Sequence, residues 1–202
     1  MKLYWFPGAC SQAPHIIARE AGVPIEFVKV DPKRGTTETG DDYRKKNPLG
    51  LVPLLELDDG TLLTEAAVLV QYLSDLKPAA GLMAAHGTLA RVQQQSRLNF
   101  IATEVHKSFR PLIKGGPPDA QSYALDLLPP AFDVVASWLV GREWLTGSAF
   151  GVVDAYFSVV FGWTRFIKYD TTRWPSLVDH LQRVRAREQV REALRAEGLL
   201  KM

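Results

Sequence analysis

Apolar positions in the first eighty or so residues switch between two periods, and the switches outline alternating strands and helices. Lys2-Leu3-Tyr4-Trp5-Phe6 is a short apolar and aromatic run stopped by Pro7-Gly8, which predicts a buried strand. Residues 11–21 place Ile16, Ile17 and Ala21 at helical spacing ahead of the stop signal Gly22-Val23-Pro24. Residues 25–30 alternate as a second strand, and the polar stretch 32–46 has room for one helix. Two short apolar runs, 52–57 and 61–63, flank Asp58-Asp59-Gly60, which predicts a hairpin. Thr64, with Glu65 next, then opens a helix through Ala66, Leu69, Val70 and Leu73 that ends near Lys77-Pro78. The order reads βαβ, a loop, then ββα.

Beyond residues 78–87 the strand signal fades, so a domain boundary is expected there. Helical periodicity covers 89–109, 122–140, 152–167, 176–187 and 188–197. Pro129-Pro130 is expected either to start the second of these helices or to kink it. The predicted class is α/β plus all-α, with domains 1–78 and 88–202.

Composition narrows the partners. The chain of 202 residues carries 24 Lys+Arg against 22 Asp+Glu, and a net charge of +2 is too small to argue for nucleic acid. No apolar run approaches bilayer length, so no membrane partner is expected. The single cysteine cannot form an internal disulfide, and the first residues lack the apolar core of a secretory signal, so a reducing cytoplasm is expected. Small molecules remain as the partner class.

Three positions then carry chemistry. Cys10 falls between a predicted strand and a predicted helix, where unpaired N–H groups and the helix dipole favour a thiolate. Ala13 stands where a dithiol motif would place its second cysteine, so any redox cycle needs an external thiol. Taken alone, such a cysteine is more often buried and inert. Val52-Pro53 precedes a strand; a cis bond there would expose the Val52 N–H and C=O to an extended peptide, whereas a trans bond would make it an ordinary loop. Thr64-Glu65-Ala66 starts a helix whose N–H groups can hold a carboxylate while Glu65 meets an ammonium, or the residues only cap the helix. Together they suit a thiol peptide with a free α-amino acid end.

On these residues the chain resembles the bacterial beta-class glutathione S-transferases. Further carriers are Asn47-Pro48 with Gly50, Leu57-Asp58-Asp59-Gly60, Asn99-Phe100-Ile101, Glu104 with His106-Lys107-Ser108-Phe109, Asp154-Ala155-Tyr156, Trp174-Pro175-Ser176-Leu177 and Arg195-Ala196-Glu197-Gly198-Leu199. The resemblance implies a thioredoxin-like N-terminal domain, an all-helical C-terminal domain and a homodimer with its active site between the domains. It implies glutathione as cosubstrate, no metal, and a role in detoxification. Cys10 would face the glutathione sulfur beside Ser11, and Val52 would pair with the tripeptide next to cis Pro53. Glu65 and Ala66 would hold the γ-glutamyl end, which Asn99 would reach across the dimer. His106 and Lys107 would line the pocket near the sulfur and the glycyl carboxylate.

Three positions depart from the family pattern. Phe6 replaces a small or hydroxyl residue beside the sulfur, Gly35 replaces a lysine for which Arg34 could stand in, and Gly151 replaces the hydroxyl cap of the helix carrying Asp154. Phe6, Trp163 and Phe166 are candidates for the electrophile pocket. The row Arg187, Arg191, Arg195 is interleaved with Glu188 and Glu192 and reads as a solvated face. The expected activity is transfer of glutathione to an apolar electrophile. Glutathione-dependent thiol–disulfide exchange or reductive dehalogenation through Cys10 is the alternative, and a non-catalytic binder on the same fold is a third.

Overall fold

The computed structural model describes residues 1–200. It divides into two compact units: Met1–Leu82 joined by the described residues from Arg187 onward, and Met83–Ala186.

Unit 1 contains β1 (Lys2–Trp5), α1 (Gln12–Glu20), β2 (Glu26–Asp31), β3 (Thr36–Thr37), β4 (Leu54–Glu56), β5 (Leu62–Thr64) and α2 (Ala66–Asp75). The strands form one sheet in the order β3-β2-β1-β4-β5, with β1 and β2 parallel and the other neighbours antiparallel. This is the mixed sheet of a thioredoxin-like domain. Leu3 pairs with Leu55 and Tyr4 with Leu54, so successive residues feed opposite faces of the sheet. Tyr4 and Leu54 join Val30 and Tyr43 in one core cluster. Ile16 and Ile17 of α1 and Leu69, Val70 and Leu73 of α2 are fully buried, as their helical spacing requires.

The hairpin forms as expected, but the stretch 32–46 holds no α-helix. It makes β3 and a single 3-10 turn over Tyr43–Lys45, because Gly35 and Gly40 take φ of 72° and 92° and break any helical run. A second difference lies at the far end of the chain. α8 (Glu188–Ala196), expected in the helical domain, belongs to unit 1 and packs on α1. Arg187 clamps it in place, its guanidinium donating to both carboxylate oxygens of Glu20 at 2.7 and 2.8 Å.

Unit 2 comprises α3 (Leu89–Phe100), α4 (Phe109–Lys114), α5 (Pro118–Ser137), α6 (Val152–Phe166) and α7 (Pro175–Ala186). The helix expected over 89–109 is divided: α3 ends at Phe100, a π-helical turn runs over Ile101–His106, and α4 follows. Pro129-Pro130 does not start the helix, since both lie inside α5 between the fully buried anchors Leu128 and Phe132. α6 is buried on nearly all sides from Val152 to Phe161, the mark of a helix at the centre of a bundle. No helix among the described residues is long and apolar enough to cross a membrane.

Candidate active site

The turn that carries Cys10 is held from both sides. Ser11 Oγ accepts from the Phe6 N–H at 3.2 Å and donates to the Phe6 carbonyl at 3.3 Å, closing a ring over residues 6–11. Ser11 is fully buried, so its hydroxyl shapes the turn from within. From the other side, Glu197, at the end of α8, accepts from the Gly8 N–H and from Gln12 Nε2, each at 2.9 Å, and pairs with His15 Nδ1 at 2.9 Å. Arg19 Nε donates to His15 Nε2 at 2.9 Å. Since arginine cannot accept, His15 carries its proton on Nδ1 and donates it to Glu197. Gly8, at φ 70°, supplies the left-handed backbone that aims its N–H at the carboxylate.

Cys10 Sγ lies 3.2 Å from the Val52 carbonyl and donates to it, a bond only the protonated thiol can make. The Val52–Pro53 bond is cis. Tyr43 Oη and Asn47 Nδ2 both donate to the Leu51 carbonyl at 2.7 Å and so hold the chain immediately ahead of Val52. Burial pushes the Tyr43 phenol up to about 12, so it remains a donor at neutral pH. The Val52 N–H makes no hydrogen bond within the described residues. It is an open backbone donor beside a thiol, next to a strand. Tyr43 and its grip on Leu51 escaped sequence reasoning; the Asn47-Pro48 and Gly50 motif was the available signal.

Glu65, not Thr64, is the residue that precedes α2, and it makes no side-chain cap. Its side chain is exposed and its backbone sits at φ 70°, a left-handed position that typically costs about 1–3 kcal/mol for a non-glycine residue. Ala66 is buried at the first helical position. At the departure from the family pattern, a Cβ on Gly35 would lie 2.7 Å from Arg44 Nη1. Arg44, rather than Arg34, therefore lies across that glycine; Arg34 is exposed and turned toward Asp31 at 3.6 Å. Phe6 is 38% exposed, enough to offer a ring face to a ligand.

Unit 2 gathers a second group of predicted residues. His106 Nδ1 lies 2.7 Å from Tyr156 Oη, and the His106 ring stands edge-on to Trp163 with centroids 4.9 Å apart. Trp163 in turn packs edge-on against Phe109 at 5.6 Å. Burial, with the Lys107 charge adding to it, holds the His106 imidazole down at about 4, so it is neutral at pH 7. Lys107 and Asn99 are exposed, and Phe166 is 72% exposed and makes no ring contact of the kind that joins Trp163 to His106. Tyr156 was visible in the sequence only as part of Asp154-Ala155-Tyr156; its hydroxyl contact joins residues 50 apart.

The chain is similar to known proteins along most of its length. Residues 8–76 match the glutathione S-transferase N-terminal domain and residues 100–188 the glutathione S-transferase C-terminal domain. Glutathione S-transferase GstA of Escherichia coli O157:H7 is 40% identical over 200 residues, covering 98% of this chain and 100% of that one. A sphingomonad glutathione S-transferase solved in complex with glutathione superposes with a TM-score of 0.93 at 40% identity, covering 99% of this chain and 100% of that one. The bacterial beta-class enzyme of Sphingomonas chungbukensis gives 0.94 at 41% identity, with the same coverage. The chain belongs to the glutathione S-transferase family, and the Sphingomonas chungbukensis protein it resembles is of the bacterial beta class.

Proposed function

We propose that the protein is a glutathione transferase that binds glutathione on unit 1 and delivers its thiolate to an apolar electrophile. The observation that carries this reading is the pairing of the Cys10 thiol with the Val52 carbonyl beside an open Val52 N–H. An extended peptide laid along Val52 takes up both backbone groups and releases Cys10 from the carbonyl. The released thiol then faces the sulfur of the bound tripeptide as a donor. The start of α1 favours negative charge there. Glu65 meets the ammonium of the γ-glutamyl end, and Ala66 offers its N–H to the carboxylate. In conjugation the thiolate forms a C–S bond to the electrophilic carbon and the leaving group departs with its electron pair.

To the same chemistry we assign His106 and Lys107 of unit 2, the second as a positive charge favouring the thiolate, and Asn99 as a γ-glutamyl contact supplied across a homodimer. His106, neutral at pH 7, acts there as a hydrogen-bonding group rather than a cation. Phe6, Trp163 and Phe166 are assigned to the electrophile pocket. Ser11 acts through the turn it closes. The protein is assigned to the cytoplasm and to detoxification.

A second reading is favoured by Cys10 itself. As a thiolate it can attack oxidised glutathione, forming a Cys10–glutathione disulfide and releasing one glutathione thiolate. Retention on immobilised glutathione together with turnover of a chloro-dinitrobenzene tests the transferase reading. Both are expected. Neither would leave only a non-catalytic binder on the same fold.

A further inference from the structure

A cavity of about 210 Å³ lies wholly within unit 2, and none of His106, Tyr156 or Trp163 lines it. One wall is a single face of α3: Ala90, Gln93, Gln94 and Arg97 follow the i, i+3, i+4, i+7 spacing. The other wall is the loop carrying Arg142, Thr146 and Gly147. No carboxylate lines it, and neither arginine has an ion-pair partner among the described residues.

Both walls are firm. Arg97 donates to the Leu145 carbonyl and lies over the Trp138 ring at 5.1 Å. Leu145 N–H is itself held at 2.7 Å by the buried Asp154 carboxylate. Trp144 and Gly147 exchange backbone bonds of 3.3 and 3.2 Å across the loop, which fixes Thr146 at its tip. Gln94 uses its carbonyl oxygen to accept from Ala84 N–H at 2.8 Å, leaving its NH2 group as a donor. The wall therefore presents guanidinium N–H groups, an amide NH2 and a hydroxyl, with two positive charges. Burial, and next to it the charge of Arg142, holds the Arg97 guanidinium below its ordinary range, against the opposing pull of the Asp154 carboxylate.

We infer that this cavity is an anion site that binds a phosphate group through Arg97 and Arg142, with Gln94 and Thr146 donating to it. Planar guanidinium forks match phosphate oxygens, and a bound dianion converts their mutual repulsion into attraction. The cavity exceeds a bare phosphate, so the group could arrive free or as a small phosphomonoester.

The test is a calorimetric titration of the full-length protein with inorganic phosphate, and separately with glycerol phosphate, at constant ionic strength set with sodium chloride. Saturable binding is expected, weakened about tenfold or more in Arg142→Gln. Arg142 is exposed, so that variant should fold; Thr146→Val provides a milder second variant with weaker binding. Glutathione conjugation should be unchanged in both, which separates this site from the transferase reading. A preference for glycerol phosphate would identify the phosphomonoester as the ligand, and equal binding the free ion. Absence of saturable binding of either, or equal binding by wild type and Arg142→Gln, would overturn the inference.

Discussion

Glu197 in unit 1 and Asp154 in unit 2 are both buried carboxylates, and each accepts from a loop N–H and a buried histidine. They differ in reach. Asp154 gathers Gly151 at 3.0 Å, Leu145 at 2.7 Å and His180 at 2.8 Å, partners 3, 9 and 26 residues away. Glu197 gathers Gly8, Gln12 and His15, which are 189, 185 and 182 residues away. Asp154 therefore organises the start of its own helix, whereas Glu197 carries the chain end back to the turn that presents Cys10. Their histidines differ as well. His15 is backed by Arg19, while His180 Nδ1 has no partner among the described residues. One network is local; the other ties the end of α8 to the turn that carries Cys10.

Removing either carboxylate separates the two networks. Asp154→Ala and Glu197→Ala each strand buried donors, and each should lower the unfolding free energy by about 3–5 kcal/mol in a urea titration. The two should part in kinetics. Glu197→Ala should also raise KM for glutathione, because the Gly8 N–H loses its anchor, whereas folded Asp154→Ala should keep it. Equal KM values in both variants would remove the link between Glu197 and the Cys10 turn.

A smaller effect separates the histidines of the two regions from the one in the predicted site. His106 is held down at about 4, below its unfolded value, so between pH 6.5 and 4 the unfolded chain binds more protons. Its contribution is fully present above pH 6.5 and falls away as pH drops toward 4. Unfolding titrations across that window should show stability falling on acidification, and His106→Asn should flatten the slope. Tyr156→Phe, which removes the hydroxyl 2.7 Å from His106, should cost about 1 kcal/mol and alter the pH profile of kcat. A profile identical to wild type would make that hydroxyl purely structural.

The smallest expected effect lies at the cap of α6. Asp154 already satisfies the Gly151 N–H, so half of the reciprocal capping arrangement is present without a cap side chain. Gly151→Ser adds the other half and should stabilise by about a few tenths of a kcal/mol, visible as a raised Tm. An unchanged or lowered Tm would show that the buried glycine is required there.

What the sequence conveyed follows the same division between local and distant. The βαβ and ββα order, the hairpin at Asp58-Asp59-Gly60 and the helix carrying Asp154 were readable because periodicity, turn residues and caps act over a few positions. Cys10 at a strand-to-helix turn and Val52-Pro53 were readable as separate motifs. Their contact was not, since it depends on Tyr43 and Asn47 holding Leu51. The return of α8, the Glu197 network, Arg44 across Gly35 and Tyr156 against His106 were hidden for a related reason. Each joins residues whose own neighbourhoods carry no pattern that announces the partner. The split of the helix over 89–109 by a π-helical turn left no mark in an apolar period that runs on through Ile101, Val105 and Phe109.

In the proposed complex glutathione lies along Val52 and displaces the Cys10 thiol from its carbonyl. Residue-resolved amide hydrogen exchange, with and without saturating glutathione, tests it most directly. The Val52 amide, open in the unliganded protein, should become strongly protected when glutathione binds. Binding of glutathione with Val52 exchange left unchanged would contradict it.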